Sequence, residues 1–296
     1  MSLCCFRPAR ETDREAVLSL ARETPCSAGL TGALWECWLA DEEGEITVGE
    51  VDGELIALGK VTVVGAREGW LELQQIAQAH RQQGLTLALT AYQADRAQKV
   101  ELRVLRWAVS SANTAGQRVA AKVGFHRVAV WGPSISEHLG AGAPDLSVLE
   151  ERHYSAILNW LGWSSILRAS GGLFAQGGSW QELTGKKMRS LLAASQVVGL
   201  TGDNGGVAAF AILSTGVSGC VGAGAAGECQ VGYVDGEWKS LLQLALALRG
   251  HAGRDAQAKI RVMLTGEPTL RGIFQAAGFQ EDPESRDLWI FERLLA

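Results

Sequence analysis

Trp70-Leu-Glu-Leu-Gln-Gln-Ile-Ala-Gln-Ala-His-Arg-Gln-Gln-Gly-Leu-Thr86 is the stretch on which the fold turns. Trp70 to Ile76 reads as a strand, and Leu85, Leu89 and Tyr92 beyond it recur at helical spacing. The chain therefore passes from strand to helix at Arg81-Gln82-Gln83-Gly84-Leu85-Thr86. The first N–H groups of a helix have no acceptor within it, and together with the positive end of the helix dipole they form a seat for a pyrophosphate. Gly84 lets the backbone approach such a group closely, and Arg81 adds positive charge. For the hexapeptide alone, an ordinary polar strand-to-helix turn is the competing reading.

On the N-terminal side, Thr12-Asp13-Arg14-Glu15 has capping-box spacing, with Val17, Leu20 and Ala21 on one helical face after it. Ser27 is expected to cap a second helix carrying Leu30, Leu34 and Trp38. Ile46–Val51 and Leu55–Val64 are apolar runs joined by Asp52-Gly53, a strong hairpin dipeptide. On the C-terminal side, Val100, Leu102 and Val104 alternate with Glu101 and Arg103 as in a strand wet on one face. Asn113 opens a helix that closes at Gly124, a residue suited to the left-handed cap. The order β-α-α-β-β-β-α-β-α-β predicts an α/β domain on a mixed sheet.

A length of 296 residues suits two domains of about 150. The composition, 47% hydrophobic and 20% charged, is that of a folded globular chain, and no apolar run is long enough to span a membrane. With no signal-peptide pattern either, a cytoplasmic protein is expected. Six cysteines without a C-x-x-C pair indicate neither zinc nor a disulfide framework, so no metal is expected. A net charge of −5 argues against nucleic acid as a partner, which needs clustered positive charge.

Residues 132–150, with Gly132-Pro133 and Gly140-Ala-Gly-Ala-Pro144, read as a linker between a domain at 1–131 and another at 151–296. The second repeats the order of the first. A helix capped by Thr184 is followed by a strand near Val197, an Asp203-Asn204 turn, runs at Val207–Leu213 and Gln230–Val234, a helix through Leu241 and Leu248, and a strand at Ile260–Leu264. Asp52 and Asp203 lie 151 residues apart, Gly124 and Gly278 lie 154 apart, and both glycines precede phenylalanine. The period is that of a duplicated domain. An offset of 154 sets Asp235 against Arg81, Trp238 against Gly84 and Glu267 against Asn113, a carboxylate and an indole where a phosphate would need donors.

Arg81–Thr86 together with Asn113-Thr-Ala-Gly-Gln-Arg-Val-Ala-Ala-Lys-Val-Gly124-Phe125 resembles the GNAT superfamily of acetyltransferases over residues 3–131. The resemblance implies two tandem GNAT (acyl-CoA N-acyltransferase) folds, one active and one degenerate, with acetyl-CoA as cosubstrate. It places the pyrophosphate on Gln82, Gln83, Gly84, Leu85 and Thr86 beside Arg81, and the pantetheine arm along Ile76 and Asn113. It further implies that a carboxylate on the fourth strand, here Glu72, takes the proton of the acceptor amine, the alternative being a plain strand-face glutamate. Trp35 and Trp38 stand on the helix that overhangs the acceptor in that family, and core packing is their alternative. Thr86 departs from the usual Gly or Ala, and Ala120 stands where a proton-donating tyrosine is common. The expected activity is acetyl transfer to a primary amine of a small molecule or peptide, with a homodimer as an expected assembly. A non-catalytic acetyl-CoA-binding or protein-interaction module is the alternative from another class.

Overall fold

The computed structural model describes residues 4–23, 30–137, 145–202, 205–214, 228–254 and 259–295. The chain forms two compact units. One takes the described residues up to Arg127 and those from Ile290 onward, and the other takes the described residues from Val128 to Trp289.

The first unit runs β1 (Cys5–Pro8), α1 (Arg14–Arg22), α2 (Gly32–Leu39), β2 (Glu45–Val51), β3 (Glu54–Gly65), β4 (Glu68–Ile76), α3 (Leu85–Lys99), β5 (Val104–Ser110) and α4 (Thr114–Lys122). Its strands lie in the order β1-β2-β3-β4-β5, antiparallel up to β4 and parallel between β4 and β5. Asp52 and Gly53 both take positive φ, as the two-residue hairpin between β2 and β3 requires. Val17, Leu20, Ala21, Trp35 and Trp38 from α1 and α2 pack with Ile46, Val48, Ile56 and Leu58 on one face of the sheet. Leu89 of α3 packs with Ala57 and Ile76 on the other. Each fully buried side chain of this size stabilises the unit by about 1.5–3 kcal/mol.

Two helix starts differ from expectation. A 3₁₀ turn at Glu11–Asp13 precedes α1, and Asp13 accepts from Arg10 N at 2.7 Å while Arg7 grips its carboxylate at 2.7 Å. The bond from Arg7 holds the Asp13 carboxyl below its usual range. Ser27 lies outside the described residues, and α2 is capped by Thr31, which accepts from Leu34 N at 3.2 Å.

After α4 the chain leaves the first unit in β6 (His126–Glu137). Gly132-Pro133, expected to open the linker, continues this strand, which pairs antiparallel with β13 (Lys259–Thr265) from Trp131↔Thr265 to Glu137↔Lys259. Between them come β7 (Ser147–Val148), α5 (Tyr154–Leu161), α6 (Ser165–Ala169), β8 (Leu173–Gln176), β9 (Ser179–Glu182), α7 (Gly185–Ala193), β10 (Val197–Thr201), β11 (Val207–Leu213), β12 (Glu228–Gly236) and α8 (Trp238–Arg254). After β13 follow α9 (Pro268–Ala276), β14 (Gln280–Glu281) and β15 (Leu288–Leu294). The second unit's sheet has the order β6-β13-β12-β11-β10-β7. The Asp203-Asn204 turn and the segment Gly140–Pro144 lie outside the described residues.

From Ile290 on, β15 belongs to the first unit, beside β5. Leu295 N donates to Arg103 O at 2.8 Å, and the buried Arg106 guanidinium bonds Glu292 at 2.7 Å as well as Glu68. The two units thus exchange their final strands, the first taking the chain from Ile290 onward and the second taking it from Val128.

Candidate active site

The parallel ladder of the first unit runs from Glu68↔Val104 to Leu71↔Trp107. β4 continues past it to Ile76, and β5 to Ser110. The strands part where β4 is irregular. Leu58 pairs with Gln75 and Lys60 with Glu72, so Leu73 and Gln74 together stand opposite Gly59. Leu73 has φ +54°, a left-handed conformation that is costly for a leucine, as expected at a one-residue bulge. The bulge lets Glu72 and Gln75 share a face despite their odd spacing, and Gln75 Nε2 donates to Leu20 O of α1.

Glu72 stands on the α1/α2 face and is 6% exposed. Thr62, two residues along β3 from its register partner Lys60, donates its hydroxyl to Glu72 Oε1 at 2.6 Å. Lys60 is 1% exposed and directs its ammonium to Asp41, with the Trp38 ring 5.8 Å away. Burial alone pushes the Asp41 carboxyl up, but Lys60 and the N–H groups of Gly44 and Glu43 outweigh it and hold it below its ordinary value. Sequence reasoning passed over Thr62, Lys60 and Asp41. The signal was a lysine inside the otherwise apolar run Leu55–Val64, since a buried lysine needs a partner.

At the other end of β4, residues 77–84 lead into α3. Gln82 and Gly84 both have positive φ, and Gly84 serves as the N-cap residue. The ladder of α3 starts with Ala88 N to Gly84 O at 3.1 Å, so its first turn presents N–H groups outward. Arg81, Gln82, Gln83 and Gly84 are exposed, with Leu85 and Thr86 half-buried. A side chain added at Gly84 would meet nothing within 4 Å, so the space over this turn is open. These features fit a diphosphate group. Arg81 is partly engaged, its Nε donating to Ile76 O at 3.1 Å.

Asn113 caps α4, its side-chain oxygen accepting from Gly116 N at 2.9 Å. Gln117 fixes the preceding turn by donating to the carbonyls of Ser110 and Ser111. The oxygen of Asn113 is thereby committed to the helix, leaving the amide nitrogen for a ligand. Ala120 is fully buried. Trp35 is 1% exposed within the α1/α2 core and forms no open wall there, and Trp38 joins the same core while carrying Lys60. Glu72, Ile76 and residues 81–86 follow one another along β4 and its exit, whereas Trp35 is enclosed in the core.

The second unit lacks the phosphate turn. Its parallel ladder starts at Glu228↔Lys259, 160 residues after Glu68, whereas α9 starts 154 residues after α4. The difference lies largely between strand and helix, where residues 77–84 are replaced by Glu237 alone. Asp235 is therefore not the counterpart of Arg81. It lies in β12, matching Gln75 at the offset of 160. Glu267 does match Asn113 and caps α9, accepting from Leu270 N at 2.6 Å.

The first unit thus combines a mixed sheet opened at a β4 bulge with an uncovered helix N-terminus at the end of the same strand. Residues 14–125 match the Acetyltransferase (GNAT) family, and the chain carries a GNAT acetyltransferase domain there. Over the whole chain the fold is similar to that of a GCN5-related N-acetyltransferase from Sphaerobacter thermophilus (13% identity, TM-score 0.66, covering 99% of this chain and 96% of that one). It is also similar to a tandem GNAT protein from the clavulanic acid biosynthesis pathway (14% identity, TM-score 0.57, 99% of each chain). A GCN5-related N-acetyltransferase from Kribbella flavida is a third (13%, TM-score 0.53, 99% of this chain and 71% of that one). No curated protein matches the sequence. Among the described residues, no cluster of three metal-binding side chains is present, and no helix is long and apolar enough to cross a membrane.

Proposed function

We propose that the first unit transfers acetyl from acetyl-CoA to a primary amine of a small molecule or peptide, with Glu72 as general base. Acetyl-CoA, when bound, supplies the activated acetyl group. The N–H groups around Gln82–Thr86 would hold its pyrophosphate, with Ile76 and the Asn113 amide beside its arm. The observation that carries the assignment is the nearly buried carboxylate of Glu72 next to the bulge at Leu73. Thr62 fixes one carboxylate oxygen by donating to it, which orients the group, while Lys60 is drawn toward Asp41. Glu72 accepts a proton from the incoming ammonium, directly or through one water, so that the neutral amine attacks. Backbone N–H groups of β4 would polarise the thioester carbonyl as oxyanion charge develops.

The deciding variant is Glu72→Gln, which keeps shape and the Thr62 bond but takes no proton. Its kcat should fall about 10²-fold at neutral pH with acetyl-CoA affinity unchanged, and the deficit should narrow toward pH 9 as more acceptor amine is neutral from the start. Activity within about threefold of wild type at pH 7 would assign proton removal to solvent instead.

A further inference from the structure

The second unit contains a cavity of about 550 Å³ between the α5–α6 turn and the start of α8. Its wall includes Trp160, Trp163, Ser164, Asp235, Glu237 and Trp238. Two tryptophans are exposed there, Trp163 at 82% and Trp238 at 41%. Water-facing indoles on a concave surface mark a binding surface more often than a packing requirement.

The cavity's floor is anionic. Asp235 is buried and accepts four hydrogen bonds, from Trp160 Nε1 (2.9 Å), Ser164 Oγ (2.5 Å), Tyr233 OH (2.5 Å) and its neighbour Gly236 N (2.8 Å). All four donors are neutral, and among the described residues no basic side chain pairs with Asp235. Burial, followed by the Asp235 charge, pushes the Tyr233 hydroxyl well above its usual range, so it remains a donor. The four donors fix the orientation of the Asp235 carboxylate without supplying a formal countercharge.

Lining and charge together select the ligand. The residues lining the cavity include no Lys or Arg; Lys239 just beyond them pairs with Glu237, and the half-charge at the start of α8 is smaller than that of Asp235, so an anion is disfavoured. A bare metal ion finds too few free oxygens, since Asp235 already accepts four bonds. A positive charge spread over alkyl groups suits both parts, as indole faces attract such cations and the carboxylate below supplies the field. We infer that this cavity is a non-catalytic binding site for an organic cation of the substituted-ammonium class, independent of the acetyl-transfer site.

The test uses the full chain and choline, whose nitrogen carries no proton and cannot be an N-acetyl acceptor. Its uncharged isostere 3,3-dimethylbutan-1-ol serves as comparison, and ligand-observed NMR or calorimetry as readout. Choline should bind saturably, with the isostere about tenfold weaker. Trp163→Ala, an exposed change that leaves the fold intact, should weaken choline by about threefold or more. Glu72→Gln and Gly84→Asp, both in the first unit, should leave choline binding unchanged. Equal binding of the two probes, absence of saturable choline binding, indifference to Trp163→Ala, or loss on Gly84→Asp would each overturn the inference.

Discussion

Arg106→Met separates the structural role of β15 from every catalytic question. The Arg106 guanidinium is buried between Glu68 at the start of β4 and Glu292 on β15. Methionine retains much of the stem's packing but leaves two carboxylates facing each other with no cation between them. Removing one partner of a buried ion pair costs about 3–5 kcal/mol. The two glutamate side chains keep 15% and 18% exposure and can recruit some water, which points to the lower part of that range. At roughly 2–4 °C per kcal/mol for a unit of this size, the melting temperature should fall by about 10 °C. Glu292→Gln, which retains a hydrogen bond, should cost only about 1–2 kcal/mol. Combined with Arg106→Met it should show a coupling of about 1 kcal/mol or more. Thermal and urea unfolding of the two single variants and the double variant measure all three quantities. A fall of less than about 2 °C for Arg106→Met, or strictly additive single changes, would mean that Glu292 is not the partner and that β15 does not complete the first unit's sheet.

Two further changes test the phosphate turn and the ion pairs of the second unit. Gly84→Asp should weaken acetyl-CoA about tenfold or more by charge, while Gly84→Asn, which tolerates the same left-handed backbone, should bind nearly as wild type; calorimetry on both distinguishes charge from strain, and wild type should bind one equivalent per chain. At Asp282, burial raises the carboxyl pKa but Arg261, the Ser285 hydroxyl and the Glu284 N–H outweigh it, so the folded value lies below the ordinary one. Its stabilising effect is therefore complete above the unfolded value of about 3.9 and is lost as pH falls through the folded one. Asp282→Asn should lower stability by about 1–3 kcal/mol at pH 7, a gap that closes below about pH 4 in urea titrations at each pH.

Local chemistry was the legible part of this fold. Asp52-Gly53 announced the hairpin because its left-handed pair is met only by such residues, and Thr184 announced α7 because a hydroxyl there answers an N–H, here Lys187 N at 3.1 Å. Val207–Leu213 agrees with β11 at both ends. Non-local features were silent. A leucine at φ +54° carries no turn signature, since the position of Leu73 is imposed by pairing across Gly59. Pro133 and Gly132 read as a break, yet they hold a strand because β13 supplies the partner. The turn at 77–84, reduced to Glu237 in the second half, spoils any single offset between the two halves, which is why Asp235 was set against Arg81 when it corresponds to Gln75. At the site, the strand-to-helix turn at Gly84 was visible in the spacing and Glu72 was singled out only through the family resemblance, whereas the burial of Trp35 and the Thr62–Glu72 bond required the sheet.

The exchange of final strands also has a kinetic side. Arg106 and Glu292 are 186 positions apart, so the first unit gains its last strand only after almost the whole of the second has been synthesised. A chain emerging from the ribosome would hold β5 as an open edge throughout that interval, with its ladder groups available to any extended segment nearby. The exchange replaces the usual sequence of one domain finishing before the next begins with a joint closure, in which the order of folding is set by the last strand to arrive.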